Sequence, residues 1–202
     1  DATVLARAAV VGARRGYDAI NLNCGCPAGD QGSVRTLYGA RLMFQPEHVA
    51  ACCAAMRTAL DEAGFTAVPV SVKCRLGVDD RDSYEQLVEF IQTVAAAGVV
   101  DFVVHARKAD LSLNAARNRT VPPLRPEVVV SLVRDFPQLR FTLNGGVTSL
   151  EEVHSWIAKG VHGVMIGRRA SAEPYLFAHW SPDNAPTRSR SEVIQMYLEY
   201  AE

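Results

Sequence analysis

Apolar residues along this chain alternate between two regimes. Short runs rich in β-branched residues occupy Asp18–Asn23, Val68–Cys74, Asp101–His105, Phe141–Asn144 and Gly163–Ile166. Each closes on polar residues or glycine, the pattern of strands buried on both faces of a sheet. Between the runs the apolar positions switch to a helical period. Val49, Cys52, Cys53, Met56 and Leu60 share one face of a helix that starts at Pro46 and stops before Gly64. Tyr84, Leu87, Val88, Ile91 and Val94 form the next stripe, with Asp82 and Glu85 placed to cap its start and Gly98 to end it. A third helix runs from about Pro126 to Asp135, ahead of Pro137, and Ser149 with Glu152 makes a capping box for a fourth. Ala2–Arg15 opens the chain as a helix that ends at Gly16.

Strands alternating with helices across short loops mean a parallel α/β sheet. It could close as a (β/α)8 TIM barrel or lie open as a doubly wound sheet. Polar residues favour the barrel. Cys26 follows the first run, Lys73 and Arg75 close the second, and His105, Arg107 and Lys108 close the third. Asn144 and Arg168 follow the last two. A barrel brings every strand C-terminus to one mouth, whereas a doubly wound sheet concentrates ligand groups at one switch point. After Trp180 the composition turns to Ser, Pro and Arg over Ser181–Arg190, as in a linker. Ser191–Glu202 then starts a helix with Val193, Met196, Tyr197 and Tyr200 on one side. Residues 1–180 therefore read as part of a barrel, and 181–202 as a linker and the first helix of a second unit.

Composition narrows the class. The 202 residues carry a net charge of −1, enough chain for one real core with mixed surface charge. No apolar run reaches the roughly 18 residues of a membrane span, and no signal-peptide pattern opens the chain. An intracellular soluble protein without membrane contact is expected, cytoplasmic or within an organelle. The first residue is Asp1 rather than Met, as in a fragment or a processed form. Near-neutral charge does not advertise nucleic-acid binding, but a local patch can supply it. Arg107, Lys108, Arg117, Arg119 and Arg125 form such a cluster, suited to phosphates or else a solvated loop. Five cysteines, an odd number without a secretory signal, argue for reduced thiols.

Candidate chemistry gathers at the run ends. Asn144-Gly-Gly146 and Gly167-Arg168 follow successive runs. Glycines let backbone N–H groups approach an anion, and Arg168 adds a fork of donors. Barrel phosphate sites use the loops after strands seven and eight. The five runs then number four to eight, and strands one to three are absent from this chain. Lys73 alternates out of an apolar strand and needs an anion, either a ligand or a salt bridge to Asp79 or Asp80. His105 stands at a strand end with two cations behind it, open to a structural or a ligand-binding role. Cys52 and Cys53 lie mid-helix in the core, and Cys74 faces away from Lys73. Cys24 and Cys26 remain at the mouth in Cys-Gly-Cys-Pro, where no further ligand pair completes a metal site. Pattern alone does not choose between them.

The stretches INLNCGCP, VKCRLG, VVHARKA, LNGG and MIGR, in this order, resemble the tRNA-dihydrouridine synthase family. Asn118-Arg-Thr-Val-Pro-Pro-Leu124, the region of Asp79–Tyr84 and Arg134-Asp-Phe-Pro137 are similar to its DusA-type subgroup. The likeness runs from about Gly16 to Trp180. It implies an FMN-bearing barrel, followed by a small helical domain, that reduces the C5=C6 bond of D-loop uridines in tRNA with NADPH. On that likeness Cys26 is the catalytic acid. Lys73, His105, Asn144, Gly145, Gly146, Gly167 and Arg168 match cofactor positions, with Lys73 and His105 able to neutralise charge near the flavin ring. Asn23 and Arg119 match tRNA-contacting positions, and Arg107, Lys108 and Arg117 join them as substrate candidates. A protonated thiol can then give C5 its proton, and the target base must leave its stack to reach the pocket.

Two departures stand out. Residues 28–38, Ala-Gly-Asp-Gln-Gly-Ser-Val-Arg-Thr-Leu-Tyr, are slightly longer than the family's loop, with the basic residue displaced. The family's first three strands are missing, so this chain alone is expected to be unstable or a poor flavin binder, and the complete protein an active monomer. Two rivals remain: a flavoenzyme on free pyrimidines of the dihydroorotate dehydrogenase type, and a non-catalytic RNA-binding fragment.

Overall fold

A computed structural model describes residues 1–27, 37–179 and 188–201. Five strands, β1 (Ile20–Cys24), β2 (Val70–Arg75), β3 (Asp101–His105), β4 (Arg140–Asn144) and β5 (Gly163–Met165), form one parallel sheet in the order β1-β2-β3-β4-β5. All five expected runs are strands: Asp101–His105 keeps its bounds, and the others differ by one or two residues at one or both ends. Helices α1 (Ala2–Arg14), α2 (Pro46–Glu62), α3 (Tyr84–Ala96), α4 (Pro126–Asp135) and α5 (Leu150–Ala158) precede or separate them. Short α6 (Arg168–Ala172) and three 3-10 turns were not anticipated, and α7 (Arg190–Ala201) closes the described chain.

Sequential order with no reversal is the winding of a barrel, because right-handed crossovers then place every connecting helix on one face. Side-chain alternation agrees. Leu22, Cys24, Val70, Val72, Cys74, Phe102, Val104, Phe141 and Leu143 are buried, and helix residues Val49, Met56, Leu60, Phe90, Ile91, Val129 and Leu132 join them in one core. Phe141 stacks on Phe102 at 5.8 Å between ring centroids and tilts against Phe136 at 6.4 Å. Each fully buried aromatic or aliphatic side chain contributes about 1.5–3 kcal/mol. The opposite face is polar. Asn21 Nδ2 donates to Ser71 Oγ at 2.9 Å, and above that pair Lys73, His105 and Asn144 step toward the strand C-termini.

The start of α3 differs from expectation. Ser83, not Asp82, is the cap: its Oγ accepts from Gln86 N while Gln86 Oε1 accepts from Ser83 N. Asp82 is drawn away by Arg125 Nη2, 3.2 Å from its carboxylate. Ser149 and Glu152 form the expected box on α5. The expected linker lies mostly outside the described residues. The expected apolar side of α7 is present, but Val193, Met196, Tyr197 and Tyr200 are all exposed. No helix among the described residues is long and apolar enough to cross a membrane.

Candidate active site

The strand C-termini surround a cavity of about 760 Å3. Its first wall is the turn after β1, held on three sides. Asn23 Oδ1 accepts from Gly25 N at 2.9 Å and Cys26 N at 3.1 Å. Ala40 N donates to Cys26 O at 2.8 Å. Arg75 Nε donates to Gly25 O at 2.8 Å. Gly39, at φ 57°, lets the 39–44 turn approach, since a Cβ there would lie 2.4 Å from Cys26 O. Cys26 lines the cavity, whereas Cys24 is fully buried under the sheet, paired in register with Cys74. The turn reverses the direction that simple alternation leaves ambiguous.

Burial separates the five thiols chemically. Desolvation raises Cys24 and Cys52, and pushes Cys53 and Cys74 up to about 12. Such thiols are inert at neutral pH. No group of three His, Cys, Asp or Glu side chains among the described residues could hold a metal ion.

The cavity floor is a polar relay. Lys73 Nζ donates to Asn144 Oδ1 at 3.0 Å, and Asn144 Nδ2 donates to Met165 O at 2.8 Å, tying β2 and β4 to β5. Lys73 makes no ion pair with Asp79 or Asp80. Asp79 instead adopts φ 53° and accepts from Leu111 N at 2.7 Å. Desolvation lowers Lys73, with Arg75 adding to the effect against Cys74. Gly145 and Gly146 have φ of 111° and 77°, and a Cβ on Gly145 would meet His105 Cδ2 at 2.7 Å. A Cβ on Gly167 would meet only open space, which leaves room for a group entering the cavity.

His105 carries no charge here. Desolvation, then Arg75, Lys73, Arg107 and Arg168, pull its imidazole from 6.5 down to about 3. The folded value lies below the unfolded one, so the unfolded state binds the extra proton as pH falls from about 6.5 toward 3. Flavin-free full-length protein should therefore lose stability across that window. Denaturant midpoints measured against pH should show this slope, and His105→Gln should flatten it.

The basic cluster divides. Arg107 and Arg119 line the cavity, and Arg107 Nη1 is fixed by Pro122 O. Lys108 lies outside, with Nζ donating to Asp79 O at 2.7 Å and 3.6 Å from the Asp82 carboxylate that also holds Arg125. Arg117 is exposed and lies outside the cavity wall. Asn118, fully buried, clasps this loop: Oδ1 accepts from Asp110 N, and Nδ2 donates to the carbonyls of Asp110, Leu113 and Asn114. Arg75 and Arg169 also line the cavity but were not among the expected site residues. Arg75 is visible in sequence as a charge at a strand end, yet its burial is not. Altogether Lys73, Arg75, Arg107, Arg119, Arg168 and Arg169 face the space, with no Asp or Glu among its described lining residues. Arg75 is buried, Lys73 and Arg107 are half-buried and the other three are exposed, and this surplus of cations around one space favours an anionic occupant.

Comparison with known proteins follows this geometry. A family model described as dihydrouridine synthase (Dus) matches residues 1–201. A tRNA-dihydrouridine(20/20a) synthase of Synechocystis sp. is 46% identical, covering 100% of this chain and 59% of its own. Relatives of the same description from Shewanella oneidensis and Vibrio cholerae are 43% and 45% identical; each alignment covers 98% of this chain, and 58% and 60% of theirs. The chain thus spans about three fifths of the length of these curated relatives. Among solved structures, a dihydrodipicolinate synthase family protein from Coccidioides immitis superposes with TM-score 0.56 at 17% identity, over 90% of this chain and 51% of its own. DHODH from Eimeria tenella gives 0.52 at 16%, over 82% and 49%. These neighbours are barrel enzymes, and the likeness concerns the fold alone.

Proposed function

We propose, given that the chain belongs to the dihydrouridine synthase family, that the full-length protein reduces D-loop uridines of tRNA to 5,6-dihydrouridine. The observation that carries this reading is the cavity around a thiol on a pinned turn, lined by cations and by no carboxylate among the described residues. The five strands are strands four to eight of a (β/α)8 barrel, and α7 begins a helical domain.

The residues fit an FMN. Gly167 leaves open space for a phosphate with Arg168 beside it, Gly145 and Gly146 line the same cavity with His105 and Leu124 packed where their side chains would be, and Lys73 keeps donors for an anionic ring. Bound flavin, recharged by NADPH, supplies the hydride that reaches uracil C6. Cys26 supplies the proton: its S–H bond breaks as the C5–H bond forms, and solvent later restores the thiol. His105 lines the same cavity and offers its imidazole as a hydrogen-bonding group. Arg107 and Arg119 take backbone phosphates of the RNA and hold the extruded base at the mouth. Asn23 spends its carbonyl on the turn, leaving its amide N–H2 for substrate.

Deleting the gene should remove dihydrouridine from the D-loop, and the full-length gene should restore it, read by mapping the modification along tRNA. Restoration failing, or the purified enzyme preferring a free pyrimidine to tRNA, would sink this reading. Free pyrimidine lacks the phosphates that Arg107 and Arg119 suit.

A further inference from the structure

We infer that Arg75 positions Cys26 for proton donation and compensates the negative charge that donation leaves on its sulfur. This rests on the reading of Cys26 as the acid. Arg75 is 3% exposed, the most buried cation in the described chain. A buried guanidinium must place its donors, and these join three segments. Nε holds Gly25 O, the carbonyl immediately before Cys26, at 2.8 Å. Nη1 holds Lys108 O at 2.9 Å and Asn118 O at 3.2 Å, both in the loop that carries Arg107 and Arg119. Among the described residues Nη2 has no hydrogen-bond partner, and Arg75 lines the cavity. One side chain thus fixes the thiol's turn, fixes the substrate-side loop and keeps a donor toward the reacting space.

The charge argument follows from what the acid becomes. A neutral thiol needs little from a cation. A thiolate needs much more, so the attraction grows as the proton leaves, and such growth is what lowers a barrier. Arg75 remains cationic: desolvation pulls it down only to about 10, with Cys26 opposing that fall and Arg107 and Arg119 adding to it. Among the described residues the other charged or titratable groups facing this space are Lys73 from β2, His105 at the end of β3, Arg107 after it, Arg119 in the loop and Arg168 and Arg169 after β5. None is a carboxylate, and of these cations Arg75 is the one bonded to the Cys26 turn.

Alkylation by iodoacetamide reports the thiolate without any catalysis. In flavin-loaded full-length protein, Cys26 should be the reactive thiol among the five, read by peptide mass spectrometry. Arg75→Gln should slow Cys26 alkylation at pH 7.5 about tenfold and displace the rate profile to higher pH. Arg75→Lys keeps the charge and loses the three-way clamp. Its profile should stay near wild type, while kcat on tRNA falls and KM changes little. Continued protection of Cys24, Cys52, Cys53 and Cys74 certifies folding, and Arg75→Lys carries the test if Arg75→Gln does not fold. An unchanged Arg75→Gln profile overturns the charge role, and full kcat in Arg75→Lys overturns the positioning role. Either outcome leaves the acid assignment standing. Full dihydrouridine formation by Cys26→Ala would instead remove the acid assignment and leave the alkylation result intact.

Discussion

Cys26→Ala in the full-length protein should lower dihydrouridine formation about 100- to 10,000-fold, the span that a positioned general acid contributes. Flavin content and the rate of flavin reduction by NADPH should stay at wild-type values. The split follows from the placement of the sulfur. Cys26 sits on the β1 wall, opposite the Gly145–Gly146 and Arg168 region proposed for the phosphate, and no cofactor candidate bonds to it. Its backbone is held by Asn23 and Ala40 whatever the side chain, so Ala leaves the turn standing. Cys24→Ala is the matched control. Cys24 lies in the core against Cys74 and should affect stability more than rate. Rapid single-turnover reduction of tRNA by Cys26→Ala would defeat the acid assignment, and loss of flavin would show that the sulfur is structural.

Gly145→Val should abolish flavin retention and destabilise the fold by about 1–3 kcal/mol, the cost of forcing a disfavoured backbone conformation. Gly145 has φ 111°, outside the range of a branched residue, and its missing Cβ makes room for the His105 ring at 2.7 Å and Leu124 Cδ2 at 3.1 Å. The β4 and β3 ends cannot both keep their positions once that space is filled. Because Asn144 carries the Lys73 bond on one side and the Met165 carbonyl on the other, displacement at 145 spreads across β2, β4 and β5. Gly167→Ala makes the contrast. Its Cβ meets no atom within 4 Å, so stability should hold, and any loss of flavin reports the approach of the cofactor itself. Flavin absorbance after gel filtration, with denaturant midpoints, reads both variants. Full flavin loading in Gly145→Val would refute the proposed phosphate cradle.

Arg75 and the loop from Lys108 to Arg125 show how site and fold interlock. Lys108 and Arg125 look like RNA contacts in a list of charges. In three dimensions they neutralise Asp82, which is why Asp82 does not cap α3. Arg107 and Arg119 stay on the cavity because Asn118 folds the intervening backbone around its own amide.

Periodicity by itself determined the five strands, the helices between them and the parallel arrangement, because period 2 and period 3.6 are properties of local chain geometry. It also determined that Lys73 and Cys74 point opposite ways and that Cys52 and Cys53 are core. Polar residues after every strand predicted a shared edge, and the sequential, singly wound sheet supplies it. The tertiary structure decided that Cys26 and not Cys24 reaches the cavity, which pattern had left open, that His105 sits desolvated among cations, that Arg75 is buried against three carbonyls and that the basic cluster divides. Each depends on desolvation and hydrogen bonds between residues tens of positions apart, Arg75 with Gly25 or Lys73 with Asn144. Spacing along a chain records which way a side chain leaves its strand. It does not record what else arrives there, and that sets the charge of a histidine or the partner of an arginine.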